Sequence, residues 1–281
     1  MASNAFPAAN IAPYIPEMWS LTALKAYESK LVIAQNLDRR YEKQLNYGDI
    51  LNVPNLSNFG DATAVDLTVE QTLVTTIQNT TQIVVNYHYY KSIGEGYGEQ
   101  AQDRPDFLTT ALPKCAYSVA KILDDLIADL VNGLTTNTAG TEGSALIADT
   151  FIAAYEGLNE SDVDSADRFW VLDPESITDI IGTDYFIRMD YGVEGVHQNG
   201  FEGRKILGSP VYMTTNLNVI NTTYHAALYA QKEWVAIIQE VAPTVYKGDW
   251  WQKFTNVVGV RSLFGIKQMR ETAGCWIKTR S

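Results

Sequence analysis

The longest apolar stripe in the sequence runs through Ala116, Val119, Ala120, Leu123, Ile127, Leu130, Val131 and Leu134. Spacing of three and four predicts a helix over 114–134 with one buried face. Lys121, Asp125 and Asp129 fall on its other faces. A weaker helical stretch from Asp106 to Leu112 precedes it, and Pro113 is expected to kink or break the rod. Another helix is predicted to start at Pro16-Glu17. Proline suits a first turn and glutamate suits the positive end of the dipole. Leu21, Leu24, Tyr27 and Leu31 continue it, and it fades near Asn36.

Residues 47–90 change period. Gly48-Asp49 makes a turn before Ile50 to Val53. Val65, Leu67 and Val69 then alternate with polar residues, as do Ile83, Val85, Tyr87 and Tyr89. This is strand spacing. A long two-stranded ribbon with a polar surface is marginal alone, so it is expected to dock on a partner. Residues 1–16, punctuated by Pro7, Pro13 and Pro16, read as an arm rather than a helix. Residues 135–145 read as a loop.

Short helices and strands then alternate. Phe169 to Leu172 is a predicted strand ending at Asp173-Pro174, and Pro174 to Ile181 a helix. Lys205 to Leu207 and Val211 to Thr214 are strands joined through Gly208-Ser209-Pro210. Ala226 to Tyr229, Trp234 to Gln239, Thr255 to Val260 and Cys275 to Lys278 complete the strands. The class is α+β, with no internal repeat and no linker separating independent domains.

Composition narrows the function. The 281 residues are 46% hydrophobic, enough for a sizeable core. Only 19% are charged, against about 25% usually. With 16 Tyr, 9 Phe and 6 Trp, this suits a protein that buries surface against copies of itself. A net charge of -12 argues against sequence-specific nucleic-acid binding, which needs basic stripes. It is compatible with enclosing DNA without gripping it. Cys115 and Cys275 are too few for a disulfide framework or a cysteine zinc site. Met1 to Ala12 has no positive charge and no long apolar run, so no secretory signal is expected. No stretch approaches the roughly 20 apolar residues of a membrane span. The glycosylation-type triplets at Asn55, Asn79, Asn159 and Asn221 then read as chance matches.

Candidate chemistry is thin. His88, His197 and His225 show no metal-site spacing. Gly94-Glu95-Gly96-Tyr97-Gly98-Glu99 is a poor dinucleotide loop: its third glycine is misplaced and its two carboxylates would repel phosphate. Turn or hinge glycines are the better reading. Asp124-Asp125 and Asp129 read as a solvated or intersubunit face beside Lys121. Asp249-Trp250-Trp251-Gln252-Lys253 could stack on sugars or bases, but core or interface packing is favoured. No nucleophile elbow, Walker motif or kinase signature is present. The expectation is no catalytic, cofactor-binding or metal residue, and no enzyme.

Three stretches in order resemble major capsid proteins of tailed double-stranded DNA bacteriophages with the Hong Kong 97-type fold. The first is Ile15-Pro16-Glu17-Met18-Trp19-Ser20, leading through Asn36-Leu37 and Arg40-Tyr41-Glu42 to Gly48-Asp49-Ile50-Leu51-Asn52-Val53-Pro54. The second is the long helix with Leu123-Asp124-Asp125. The third is Asn199-Gly200-Phe201-Glu202-Gly203, then Ile206-Leu207-Gly208-Ser209-Pro210-Val211-Tyr212 and Thr215-Asn216-Leu217. Together they span nearly the whole chain.

The resemblance implies an α+β capsid fold in five parts. Residues 1–46 would be the N-arm and first helix, and 47–93 the extended β-hairpin loop. Residues 94–145 would form a peripheral domain with a spine helix at 114–134. Residues 146–228 would form the axial domain, and 229–281 would return to the peripheral domain. Intersubunit contacts are expected at Tyr14, Trp19, Leu67, Val69, Tyr87 and Tyr89, and hinges at Gly94, Gly96 and Gly98 near the ribbon base. The implied partners are copies of the chain in hexamers, pentamers and an icosahedral shell. A portal protein, a separate scaffolding protein, a decoration protein where the head carries one, and packaged double-stranded DNA without sequence-specific contact complete the set. No cofactor and no membrane are implied. The place would be the virion capsid, assembled in the host bacterial cytoplasm. Two rivals stand beside this reading. One is an encapsulin-like compartment shell, distinguished by protein cargo. The other is a soluble enzyme, distinguished by a concentrated polar site.

Overall fold

The structure, a computed structural model, describes residues 31–42, 44, 49–56, 62, 64, 78–100, 107–182, 205–217, 219–220 and 224–280. The arm with Tyr14 and Trp19, the loop positions Leu67 and Val69, and the motif at 199–203 lie outside the described residues.

β1 (Ile50–Leu56) and β2 (Gln78–Val84) form an antiparallel ribbon, from Ile50 opposite Val84 to Leu56 opposite Gln78. β3 (Tyr87–Gly96) then leaves the ribbon and ends in a one-turn helix, α1 (Tyr97–Gln100). The alternating run from Ile83 to Tyr89 is therefore split between two ladders. Alternation specifies which face a side chain takes, not which strand lies beside it. The expected ribbon over 47–93 accordingly loses β3.

α2 (Phe107–Val131) passes through Pro113 without interruption, so the expected break there does not occur. Proline removes one backbone hydrogen bond from the helix. Against that, Leu112, Cys115, Ala116 and Val119 on both sides of it pack with Ile93 and Val260. The 25 residues make a rod of about 37 Å.

The remaining elements are β4 (Thr138–Gly140), α3 (Ala148–Glu160), β5 (Arg168–Leu172), α4 (Pro174–Gly182), β6 (Lys205–Ile206), β7 (Ser209–Met213), β8 (Val219–Ile220), β9 (Tyr224–Gln231), β10 (Val235–Trp250), β11 (Thr255–Gln268) and β12 (Gly274–Lys278). One sheet has the order β10-β11-β3, all antiparallel. The other runs β4-β12-β9-β5-β7-β6, with β8 on β9. It is mixed, because β12–β4 and β5–β7 are parallel. The expected strand at 234–239 falls on the start of β10, with Trp234 in the 3-10 turn before it, and the one at 255–260 is the first part of β11; both strands run much further.

All five residues of β5 are buried, as a central strand covered on both faces requires. The Trp170 ring stacks on Tyr229 with centroids 3.7 Å apart, and Phe151 of α3 lies 5.1 Å from it. The Trp170 indole N–H donates to the Ile206 carbonyl at 3.1 Å, so its polar atom is satisfied in the core. Asp173 caps α4: its carboxylate accepts the Glu175 and Ser176 amides, and Pro174 follows as the first helical residue. Leu207 and Gly208 have φ of 48° and 83° and make the two-residue turn between β6 and β7. Leu123, Ile127, Ala128 and Val131 of α2 enter the same core as Trp170 and Trp234. The helix thus underlies both sheets.

Candidate assembly surfaces

The ribbon has two unlike faces. Leu51, Val53 and Ile83 turn inward and pack with Val85, Ala236 and Ile238, flanked by Leu263 and Met269. Ile50, Asn52 and Pro54 share the other face with Val84, Gln82 and Thr80, and all six are exposed. Ile50 and Val84 are directly paired, so the exposed face carries an apolar patch at its root. The root is clamped. The Val85 amide donates to the Asp49 carbonyl at 2.8 Å. Gly265 of β11 lies against the Val84 carbonyl, where a Cβ would stand 3.0 Å from the Val85 Cα. Only glycine allows the ribbon this close to the sheet.

The segment entering the fold from the N-terminal side is held at three points. The Ile33 and Ala34 amides donate to the Asp124 carboxylate at 3.4 and 2.9 Å. Ile33, Ala34 and Leu37 are buried in the core. Asp38 then lies on the edge of β10: its amide donates to the Val235 carbonyl, and its carbonyl accepts the Ile237 amide at 3.0 Å. The Asp38 carboxylate accepts from Arg40, which also reaches Glu233 at 2.8 Å.

This corrects the reading of Asp124 as part of a solvated or intersubunit face. Asp124 is buried, while Asp125 beside it pairs with Lys121 at 2.9 Å. Burial pushes the Asp124 carboxyl above the ordinary aspartate range, and the backbone donors only partly offset this. The sequence held a signal. Asp124 is four residues from Ala120 and three from Ile127, inside the apolar stripe.

The Asp249–Lys253 stretch is also corrected in part. Trp250 and Trp251 are 46% and 72% exposed, so they are not core residues. They lie at the β10–β11 turn with Phe254, which is 67% exposed and has φ of 48°. Tyr97 meets the Phe254 ring edge-on at 6.2 Å, and its hydroxyl donates to Asp249. The Lys253 ammonium lies over the Trp250 ring at 4.4 Å.

Tyr87 and Tyr89, expected at an intersubunit contact, are half-buried within their own chain and stack with Phe264. Gly94 and Gly96 lie at the far end of β3, opposite Val257 and Thr255, and Gly98 lies in α1. They therefore lie at or beyond the end of β3 opposite to the ribbon root at Val84. A Cβ on Gly94 would meet the Thr255 side chain at 2.8 Å, so close strand approach accounts for that glycine.

His88 lies on β3 and His225 on β9, in different sheets. Cys115 and Cys275 are free and buried, and burial pushes the Cys275 thiol up to about 12. Among the described residues no three of His, Cys, Asp and Glu come together to hold a metal ion. Among them also, no helix is long and apolar enough to cross a membrane.

No protein-family model matches the chain, and no curated protein does. Solved structures do match. A chain from the capsid structure of the cyanophage P-SCSP1u aligns with a TM-score of 0.79 at 12% identity, covering 99% of this chain and 100% of that one. A chain from Mycobacterium phage Che8 aligns at 0.78 and 17% identity, covering 94% and 97%. One from the capsid of a native GTA particle aligns at 0.71 and 13% identity, covering 100% of both. Such identities carry the fold rather than the function, but they carry it over the full length: this chain has the Hong Kong 97-type fold of tailed-phage capsid proteins.

Proposed function

We propose that this chain is a major capsid protein. Copies of it assemble through hexamers and pentamers into an icosahedral phage head that encloses double-stranded DNA. The observation that carries this reading is the ribbon: one face is packed on its own subunit and the other is exposed from Ile50–Val84 outward. It belongs to a fold shared end to end with capsid chains. An exposed ribbon with an apolar root gains most by covering a neighbour.

The physics of assembly follows. Contacts around a ring are heterologous, and a closed shell repeats them at slightly different angles. Each contact is modest, and many per subunit add through multivalency. The arm with Tyr14 and Trp19, and the loop with Leu67 and Val69, supply contacts in this proposal, with Tyr87 and Tyr89 contributing through their exposed edges. Gly94, Gly96 and Gly98 serve it as points where β3 and α1 adjust. A portal protein, a separate scaffolding protein and, on heads that carry one, a decoration protein are the further partners. The acidic chain lines the DNA without binding its sequence. The protein acts as a structural element, not an enzyme, in the virion capsid, after assembly in the bacterial cytoplasm.

Electron microscopy of the purified protein, alone and with a scaffold, tests this. Shells, tubes or hexamer and pentamer rings are expected. A strictly monomeric protein at high concentration under both conditions would overturn it, and shells filled with enzyme cargo would favour a compartment shell.

A further inference from the structure

Among the described residues β10 is an edge strand. Its sheet has the order β10-β11-β3, and among the described residues the other side of β10 carries one bridge, Asp38 to Ala236. Unpaired edges template pairing with another chain, and proteins commonly blunt them with proline and bulges. Here that protection is local. Register shifts fall between Gln239 and Val241 and between Val241 and Thr244, around Pro243. From Thr244 to Trp250 the ladder with β11 is regular. The outer edge there is free of register shifts, and both its ends are apolar: Val245 is 48% exposed, Trp250 46% and Trp251 72%.

We propose that this edge, Val245 to Trp250, pairs antiparallel with the same edge of a second copy, with Gly248 opposite Gly248. The sequence is self-complementary about that point. Lys247 of each copy faces Asp249 of the other, and Tyr246 faces Trp250. Val245 comes alongside Trp251. Moving the centre by one residue places Lys247 opposite Lys247 or Asp249 opposite Asp249, so charge selects the register. Gly248 leaves the centre open, since a Cβ there would meet nothing within 4 Å. A two-fold contact of this kind uses one patch on both copies. The inference rests on the reading that copies of this chain assemble, and it adds a contact separate from the arm and the ribbon.

Six residues make a small interface, so the contact is weak alone and works as one of several. A covalent reporter suits it. Residues opposite each other in an antiparallel pair have Cα atoms about 4.5 to 5.5 Å apart, within disulfide reach. The native cysteines are buried. Gly248→Cys is compared with Glu160→Cys, at an exposed site on α3, under mild oxidation. Both are read on non-reducing gels, in assembled particles and in concentrated protein. Covalent dimer is expected for Gly248→Cys and not for Glu160→Cys. In the Gly248→Cys background, Lys247→Asp should lose the dimer, and adding Asp249→Lys should restore it. Thermal unfolding of each variant verifies that the subunit is folded.

Particles that form from Gly248→Cys without covalent dimer would overturn the edge pairing and leave the assembly reading intact. If the native chain forms no particles, assembly fails, and the cross-link in concentrated protein still decides the edge contact. Equal cross-linking at both sites, or a dimer indifferent to the charge reversals, also overturns it.

Discussion

The Asp124 carboxylate accepts the backbone amide of Ala34 at 2.9 Å, across 90 positions of sequence. That bond ties the incoming N-terminal segment to the long helix. Asp124→Ala leaves the Ala34 and Ile33 amides without their acceptor in a buried setting. The expected cost is about 1–3 kcal/mol in chemical denaturation. Hydrogen exchange at these two amides should rise. Asp124→Asn keeps a carbonyl oxygen at the site and should restore most of the protection.

Asp124 and Glu271 should give opposite pH signatures. Burial raises the Asp124 value in the folded state above the ordinary 3.8. Its contribution to stability is therefore full below the ordinary range and is lost as pH rises through the folded value. Glu271 accepts the amides and hydroxyls of Thr135 and Thr136 at 2.9 to 3.3 Å, which hold its carboxyl below the ordinary 4.5. Its contribution is present above the ordinary value and is lost as pH falls through the folded one. Denaturation of Asp124→Asn and Glu271→Gln across the acid range checks both. The native chain should lose stability relative to Asp124→Asn as pH rises, and relative to Glu271→Gln as pH falls.

Gly265→Val should act on the ribbon root rather than on the main core. A side chain there meets the Val84 carbonyl and the Val85 Cα. Overpacking of this kind costs about 1–3 kcal/mol. Protease cleavage between 49 and 86 should speed up, while near-ultraviolet circular dichroism from the buried Trp170 and Trp234 stays native. Unchanged cleavage with a native spectrum would show that the ribbon is not clamped at this glycine.

Two tryptophans should separate core from surface. Trp170→Ala removes a fully buried ring stacked on Tyr229 and should cost about 3–5 kcal/mol. Trp251→Ala, at a 72% exposed position, should stay within about 0.5 kcal/mol in the isolated subunit. Any larger effect of Trp251→Ala should appear in particle yield, measured by sedimentation.

Replacing residues 57–77 with a short turn joins β1 to β2 just beyond their last pair, Leu56 opposite Gln78. The subunit should remain folded by circular dichroism, because the clamp at Gly265 and the cluster around Ile83 are kept. Stable shells should not form. Normal shells from this variant would remove the loop from the assembly contacts.

Local patterns were legible where one physical rule governed them. The stripe of α2 follows from helical spacing alone, and the start of α4 at Pro174 from the fit of proline to a first turn. Alternation in the ribbon and in β3 was equally plain. The motifs from Ile15 to Leu217, taken in order, carried the resemblance, and the full-length likeness to capsid chains bears out the fold. What the residues could not declare was partnership. Ile83 and Tyr87 share one alternating run, yet one belongs to the ribbon and the other to the sheet with β11. Asp124 and Asp125 are adjacent, yet one is buried against backbone amides and the other pairs with Lys121 in partial exposure.

The physical reason is range. Periodicity and turns depend on neighbours within a few residues, so the amino-acid order alone sets the class, the long helix and the alternation along the ribbon strands. Burial of a particular carboxylate, the need for glycine at 265 and the exposure of Trp251 depend on segments brought together from far along the chain. Only the folded chain decides which segments meet, and so that, among the described residues, the outer edge of β10 carries a single bridge, at Ala236.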